Sequence, residues 1–329
     1  MLTRCCLAVL LLVASASADG FSYPLFDGKT LDGWTAENGC KADVKGGTIR
    51  LLEGNGWLRS DHAYGDFLLH VEWKAEKDSK YDAGIYIRTQ PGGAPFPSRG
   101  YQLNLLEGKE GACGSLKGAT PPPGLIRKGR WNSFDIIVVE DSVSLAINGK
   151  PAYRAGGITI DRGHIGLQVE VPGGGRFAIR NVQITELGYR SLFNGRDLKG
   201  WEGAGSPAAT CWRVRQKKPA ANYSKLWAQA VARYRELGGN PAGLSGVARK
   251  ALGDGIIECT GKKGPWLRTA AQFGDFNFRF QYQVSPGGNS GIYVRVPADG
   301  KHHRDNDSQP PAGFEVQVLD DNAAKYAKL

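Results

Sequence analysis

Two short segments of this 329-residue chain carry polar residue types that suit the binding and cleavage of sugars. Alternation along a strand over residues 85–88 points the isoleucines toward a core and leaves Tyr86 and Arg88 on the outer face. On a strand over residues 102–105, Gln102 and Asn104 face outward, and Glu107 follows where a bulge or strand end can bring it alongside. Arginine and amides hydrogen-bond sugar oxygens, an aromatic ring packs on C–H faces, and a carboxylate can act as a base.

The same assortment occurs a second time. The equivalent positions, in chain order, are Tyr293, Arg295, Glu315, Gln317 and Asp320. A single polar residue at such a position is typical of the wet face of a sheet, so the repetition in register is what favours a site. The second strand carries two acids where the first carries only Glu107, because Gln102 stands in place of an acid. A glycosidase mechanism with two carboxylates is therefore not supplied by this strand of the first copy.

The repetition extends over five blocks in one order. The block pairs begin at residues 26 and 193, 56 and 265, 64 and 273, 82 and 289, and 100 and 313. Since the offset exceeds a hundred residues, this is domain duplication rather than a short-period repeat. The first copy continues for about eighty residues beyond Glu107, whereas nine residues follow Asp320. We therefore expect Leu329 to be an artificial or aberrant terminus.

Short β-rich segments separated by polar, glycine-rich turns predict an all-β fold. Examples are residues 67–73, 134–139, 143–147 and 177–184, which are rich in β-branched and aromatic side chains. Many such strands in a domain of this size indicate an antiparallel β-sandwich. We predict a first sandwich domain over residues 19–189 and a second, incomplete one over 190–329.

A basic insert over residues 215–253 separates two segments that are directly linked in the first copy. Ser224 can cap a helix from Lys225 to about Leu237, with Gly238-Gly239 as its stop. Apolar residues fall on one side of this helix, and Arg233, Arg235 and Glu236 lie elsewhere. Eight basic residues and one acid lie between 215 and 250, which accounts for most of the net charge of +10. The insert is either a helical excursion packed on the sandwich or a contact for a partner or anionic surface.

Residues 1–18 are predicted to be a cleavable secretory signal. Arg4 precedes an apolar run, and Ala16-Ser17-Ala18 supplies small residues for cleavage after Ala18. An uncleaved anchor is the alternative. No later segment is apolar enough to predict a membrane span. We expect a secreted or periplasmic protein, and nucleic acid is therefore not an expected partner.

The cysteine spacing does not predict a zinc site, and one histidine loop could either bind a metal or be solvated. Cys40, Cys113, Cys211 and Cys259 remain after cleavage and allow three disulfide pairings, of which Cys211–Cys259 is preferred, with buried free thiols as the alternative. His302-His303 lies near Asp305 and Asp307 in a polar loop without a counterpart in the first copy. We interpret that loop as solvated, and no Ser/His/Asp or Cys/His arrangement accompanies it.

The repeated blocks resemble the bacterial 3-keto-disaccharide hydrolase domain, a family with a concanavalin A-like jelly-roll fold. The resemblance rests on the blocks Leu-x-Gly-Trp, Trp-Leu-Arg, Gly-Asp-Phe, Asn-Ser-Gly-Ile-Tyr-Val-Arg and Gly-Phe-Glu-Val-Gln-Val-Leu-Asp. It covers about 26–188 in full and 193–329 in part. The family implies cleavage of glycosides oxidised to a ketone at C3. Abstraction of the acidified C2 proton then lets the C1 substituent leave.

The resemblance also implies roles for the paired residues. Glu107 would be the acid/base or metal-contacting carboxylate, Arg88 would polarise the ketone, and Tyr86, Gln102 and Asn104 would position the sugar. In the second copy the matching set is catalytic Asp320, Glu315 and Arg295, with Tyr293 and Gln317 binding substrate. Gln102 departs from the acid usual in the family, so a non-catalytic, lectin-like glycan-binding module is the alternative function. Dependence on a divalent metal is left open.

Overall fold

The first copy folds into two antiparallel sheets that pack face to face. The computed structural model describes residues 21–189, 191–203, 211–216, 229, 232–239, 255–261, 266–296 and 313–326. The predicted signal segment, the Ser224 cap, the His302-His303 loop and Leu329 lie outside these residues. No helix among the described residues is long and apolar enough to cross a membrane.

Thirteen strands and one short helix make up this sandwich. They are β1 (Phe21–Pro24), β2 (Trp34–Glu37), β3 (Lys41–Lys45), β4 (Thr48–Glu53), β5 (Asn55–Tyr64), β6 (Phe67–Ala75), β7 (Gly84–Thr89), β8 (Tyr101–Asn104), β9 (Asn132–Val139), β10 (Ser142–Ile147), β11 (Lys150–Gly156), β12 (Gly163–Glu170), α1 (Val171–Gly174) and β13 (Phe177–Glu186). The larger sheet has the order β11-β10-β9-β6-β13-β4-β3, with β1 also paired to β13, and the smaller sheet has the order β2-β5-β12-β7-β8. The strands predicted from the sequence all form, and the predicted antiparallel sandwich is confirmed.

One continuous apolar core fills the space between the two sheets. Phe67 and Phe134 enter it from the larger sheet, and Ile85, Leu103 and Leu167 enter it from the smaller one. Each of these residues alternates with polar or outward-facing neighbours, as the period of two in a strand requires. The opposite face of the smaller sheet is therefore free to carry the predicted polar residues.

The second copy contains matching hairpins. Its strands are β14 (Trp201–Gly203), β15 (Trp212–Arg215), β16 (Ile256–Cys259), β17 (Leu267–Thr269), β18 (Asn289–Val294) and β19 (Phe314–Leu319). They pair as β14–β17, β15–β16 and β18–β19. Phe314 and Val316 on β19 are 62% and 56% exposed, whereas the equivalent Tyr101 and Leu103 are 7% and 0% exposed. The inward side of this hairpin thus lacks the cover that the first copy has.

The chain divides into two compact units. The first contains the first copy through Ser191 together with the described part of the insert, residues 229 and 232–239, and the second contains the remainder of the second copy. Residues 229 and 232–236 of the insert are helical, and Gly238 has a φ of +78° at the predicted stop. Arg233, which was predicted to lie off the apolar side of the helix, pairs through its guanidinium with Asp135 of β9.

None of the four described cysteines is joined in a disulfide. The preferred Cys211–Cys259 disulfide is wrong for a geometric reason. Cys259 pairs with Trp212 across the β15–β16 ladder, while the Cys211 carbonyl accepts the Thr260 amide. The two cysteines therefore occupy successive rungs, where side chains point to opposite faces. Burial raises the pKa of the Cys40 thiol to about 11.

A buried ion pair on the larger sheet makes stability depend on pH. Burial opposes the charge of His70, but the hydrogen bonds that His70 donates toward the Asp135 and Glu72 carboxylates outweigh it and raise the pKa of His70 to about 9. Because the folded pKa exceeds the unfolded value near 6.5, this contribution is complete below about pH 6.5 and is lost as pH rises through about 9. The linkage is worth roughly 3 kcal/mol.

We expect wild-type protein to lose roughly this much unfolding free energy, relative to His70→Gln, between pH 6 and pH 10. Urea titrations of both proteins at several pH values measure it. A constant difference across the range would contradict a charged His70 in the folded state.

Candidate functional site

The smaller sheet presents the predicted polar residues on the side facing away from the core, which we call the polar face. On β7, Ile85 and Ile87 lie in the core and Tyr86 lies on the polar face. On β8, Gln102 and Asn104 are half-buried, and Gln102 is the cross-strand partner of Tyr86. Three of the predicted first-copy residues are therefore brought together as alternation required.

Two glycines form the floor of the polar face. A Cβ on Gly84 would come within 2.3 Å of Gln102 Nε2 and 2.8 Å of Gln168 Oε1. Because Gly84 has no side chain, Gln102 reaches over it and donates a hydrogen bond to Gln168 of β12. Gly166 serves the same purpose for the aromatic residues: Trp57 and Tyr86 meet above it edge to face, with ring centroids 5.8 Å apart. The result is a shallow floor bordered by two amides and two aromatic rings.

A side chain at position 166 should disturb this arrangement. A Cβ there would lie 2.6 Å from the Trp57 ring and 3.1 Å from Tyr86, distances at which a neighbour must move. We expect Gly166→Ala to lower the free energy of unfolding by about 1–3 kcal/mol, as overpacking does, and to change the fluorescence of Trp57.

Gly114→Ala is the matched control, since a Cβ there meets nothing within 4 Å. Thermal melts and tryptophan emission spectra of both variants make the comparison. Equal melting temperatures for the two would show that Trp57 and Tyr86 are not packed above Gly166.

Two carboxyls with raised pKa values lie at one end of the polar face. Glu170 ends β12, and Asp82 precedes β7, the neighbouring strand. Burial raises the pKa of both carboxyls, and the charge of Asp82 raises that of Glu170 further. Gln168 Nε2 donates to Glu170 Oε2 at 2.7 Å. Among the described residues, the Asp82 carboxylate accepts no hydrogen bond. One carboxyl is thus held by an amide, and the other is free to exchange a proton.

Tyr86 lies close to both of these acids. Burial raises the pKa of its hydroxyl above the usual range, and the charges of Glu170 and Asp82 add to the effect. The hydroxyl therefore stays protonated and can donate a hydrogen bond to a ligand on the polar face.

Arg88 does not lie on the polar face, so its predicted placement is wrong. Its φ of +46° breaks the alternation of β7 at this residue. The side chain is 2% exposed and donates to the carbonyls of Gly65, Glu140 and Ile160. It also forms an ion pair with Asp66 at 2.6 Å. These contacts fasten three loops together, and they use the guanidinium on the protein itself.

Glu107 also lies elsewhere than predicted. Its Oε2 accepts the Lys80 amide at 2.7 Å, and its Oε1 pairs with Lys128 Nζ at 2.6 Å. The Lys128 hydrogen bond, followed by that of the Lys80 amide, holds the pKa of this carboxyl below its usual range. A fully ionised, tethered carboxylate is a weaker base than one whose pKa is raised. Glu107 closes the turn before β7.

The second copy repeats both of these structural arrangements. Arg295 has a φ of +58° and pairs with Asp275, the counterpart of Asp66, at 3.2 Å. Asp320 accepts the amide of Gly287, the counterpart of Lys80, at 2.6 Å. An arginine and a carboxylate that make equivalent contacts in both copies are explained by the scaffold. Their recurrence therefore does not require a role in chemistry.

The polar face is also reproduced in part on β18 and β19. Tyr293 pairs across the ladder with Glu315, and its hydroxyl donates to Glu315 Oε2 at 2.9 Å. Gln317 pairs with Gly291, and the Trp266 and Tyr293 rings lie 6.3 Å apart. Asn289 stands where the first copy has Asp82, and Glu315 stands where it has Gln102. The acid and the amide have exchanged strands between the copies.

Sequence reasoning missed four residues of the polar face: Trp57, Asp82, Gln168 and Glu170. Trp57 and Asp82 lie in the repeated blocks, and that repetition was the available signal for them. Gln168 and Glu170 have no counterpart within the second copy as given, so the duplication provided no signal for them. Their alternation with buried Leu167 and Val169 was the available sign.

No cluster of three or more metal-binding side chains occurs in the part of the chain that the structure describes.

Comparison with known proteins places the chain in a family. A model of the 3-keto-alpha-glucoside-1,2-lyase-like domain matches residues 22–185 and again residues 188–328. No curated protein matches the chain. Solved structures with a similar course include a candidate glycosyl hydrolase from Parabacteroides distasonis, at 22% identity over 50% of this chain and 94% of that one, with a TM-score of 0.43. A Bacillus licheniformis beta-glucanase is 14% identical over 52% of this chain and 99% of that one, with a TM-score of 0.35.

A carbohydrate-binding module from Bacillus subtilis is 15% identical over 46% of this chain and 94% of that one, with a TM-score of 0.35. These structural similarities are too distant to bear on activity. The two matches of the family model span nearly the whole sequence. The chain therefore belongs to the family of 3-keto-alpha-glucoside-1,2-lyase-like domains and carries two copies of that domain.

Proposed function

We propose that this protein is a secreted enzyme that cleaves 3-keto-glycosides on the polar face of its first copy. Family membership supports a carbohydrate as the ligand. The observation that carries the proposal is the pair Asp82 and Glu170, two carboxyls with raised pKa values beside an aromatic and amide surface. A carboxyl whose pKa is raised by its surroundings is a common component of acid–base catalysis.

The hydrogen-bond partners of the two carboxyls decide which one is the base and which one is the acid. Glu170 accepts the Gln168 N–H, which favours its ionised form, so it acts as the base that removes the C2 proton. Asp82 has a pKa raised by burial and accepts no hydrogen bond among the described residues, so it is assigned as the acid that gives its proton to the departing glycosidic oxygen. The C2–H and C1–O bonds break, a C1=C2 double bond forms, and the free sugar alcohol leaves. Addition of water across that double bond completes a hydrolysis.

The remaining residues of the face bind the sugar. Tyr86 offers the edge of its ring to sugar C–H groups, and the buried Trp57 ring packs behind it. Gln102 and Asn104 present amides for sugar hydroxyls, and the Tyr86 hydroxyl can donate to the C3 carbonyl. These groups would hold the C2 proton toward Glu170.

A glycan-binding module without catalysis is the second candidate. One observation favours it: Gln102 occupies the position where the second copy has the acid Glu315. In that case the polar face recognises hydroxyls without cleaving the glycosidic bond. Both candidates have a carbohydrate partner.

Turnover of a 3-keto disaccharide by the mature chain tests the proposal. Release of free sugar, followed by mass spectrometry with and without a chelator, is expected. A folded protein that binds the disaccharide in calorimetry but releases no sugar would overturn the enzyme and leave the binding module. Loss of activity with the chelator would show that a divalent metal contributes.

A further inference from the structure

The outer face of the larger sheet carries a combination that is unusual for a surface facing water. On β6 and β9, Leu68 pairs with Ile137 and His70 pairs with Asp135, all pointing away from the main core. Each of these four side chains is nevertheless buried. Leu68 and Ile137 form a second apolar cluster with Leu187, separate from the core between the sheets. Something must cover this face.

The cover is the helix of the insert. Tyr234 is 4% exposed and completes the second apolar cluster. Beside it, Arg233 pairs through Nη1 with Asp135 Oδ2. Between helix and sheet lies a small open groove, lined in part by Leu237 and Ser144. The contact thus combines an aromatic anchor with a charged pair at its centre, as tight interfaces do.

Glycines on both sides shape the contact. A Cβ on Gly149, in the turn after β10, would lie 2.9 Å from Arg233 Nη2. A Cβ on Gly239, just after the helix, would lie 2.4 Å from the Tyr234 ring. The Gly239 position is therefore closed to a side chain while Tyr234 keeps its place. Gly149 also has a φ of +83°, which favours glycine independently of the helix.

Asp135 of the sheet receives one of its hydrogen bonds from the helix. This buried carboxylate receives hydrogen bonds from His70 Nδ1, at 2.6 Å, and from Arg233. The neighbouring Glu72 is occupied by Arg180 and Asn181, and lies 3.9 Å from His70. Without Arg233, Asp135 keeps one partner in a site closed to water, which costs free energy.

We propose that the outer face of β6 and β9 is a docking surface for an amphipathic basic helix, and that residues 229–239 of the insert are its occupant. The first copy is then not complete at residue 189, because its outer face needs a segment supplied from within the sequence of the second copy. The duplicated family scaffold alone gives no reason for such a contact. Arg233, being paired with Asp135, is not available to an anionic surface.

Trypsin digestion of the full chain tests the proposal. The bond after Arg235 lies in the docked helix, so wild-type protein should be cut there slowly. Arg233→Gln and Tyr234→Ala should each release the helix and raise the rate by about tenfold or more. Gln229→Ala is the control, since Gln229 is exposed on the same helix, lies away from the cleaved bond and should leave the rate unchanged.

A double-mutant cycle supplies a second measurement. Asp135→Asn, Arg233→Gln and their combination should show coupled rather than additive shifts in melting temperature. Cleavage after Arg235 as fast in wild type as in a free peptide of residues 225–241, or additive shifts, would overturn the docking. Since Arg233 lies on the helix, its substitution leaves the sandwich able to fold and the outcome readable.

Discussion

Replacing Glu170 by glutamine should lower the turnover of a 3-keto disaccharide by about 10²–10⁴-fold, the usual contribution of a general base. The change is nearly isosteric, and the new side-chain oxygen can still accept the Gln168 N–H that now reaches Glu170 at 2.7 Å. Folding and sugar binding should therefore be almost unchanged. Initial rates of sugar release, measured by mass spectrometry at saturating substrate, give the effect on kcat.

Asp82→Asn should cause a loss of similar size, because it removes the proton donated to the departing oxygen. The matched control is Glu107→Gln. Glu107 is tied to Lys128 and to the Lys80 amide, away from the polar face, so its substitution should change turnover by no more than about threefold. The opposite ranking, with Glu107→Gln inactive and Glu170→Gln active, would restore Glu107 as the catalytic base and refute the assignment to Asp82 and Glu170.

The strands and their facing were predictable because alternation depends only on residue type and spacing. Ile85, Ile87 and Leu103 enter the core, and Tyr86 and Gln102 pair on the other face, as the sequence of β7 and β8 requires. The duplication strengthened this prediction, since Tyr293 and Glu315 pair in the same way. Local periodicity is thus enough to place a polar face on a sheet.

The composition of the site depended on features that periodicity does not carry. One is the positive φ of Arg88, which ends the alternation at that residue and turns its side chain into the protein. Another is pairing between strands far apart in sequence: β12 lies between β5 and β7, and this order brings Gln168 beside Gln102. Glu170 joins the site only through that strand order. The recurrence of a residue in both copies also did not identify its role, because structural contacts are repeated between the copies just as catalytic ones are.

Substitution of Arg88 distinguishes most clearly between a structural and a catalytic reason for a residue to recur in both copies. Arg88→Leu should lower the free energy of unfolding by about 3–5 kcal/mol, since it leaves three carbonyls without this donor and Asp66 with only the Glu140 N–H. Three carbonyls and one carboxylate share this guanidinium. Arg88→Lys should recover only part of the loss, because an ammonium cannot reproduce the planar set of donors. Urea unfolding of each variant measures the change.

The second copy offers the control for this prediction. The side chain of Arg295 is 54% exposed and contacts Asp275 at 3.2 Å, so Arg295→Leu should cost no more than about 1 kcal/mol. If Arg88 instead polarises the substrate ketone, Arg88→Lys would keep wild-type stability and lose turnover. That result would contradict a purely structural role for Arg88. The four contacts of its guanidinium predict a lower free energy of unfolding whenever this planar set of donors is removed.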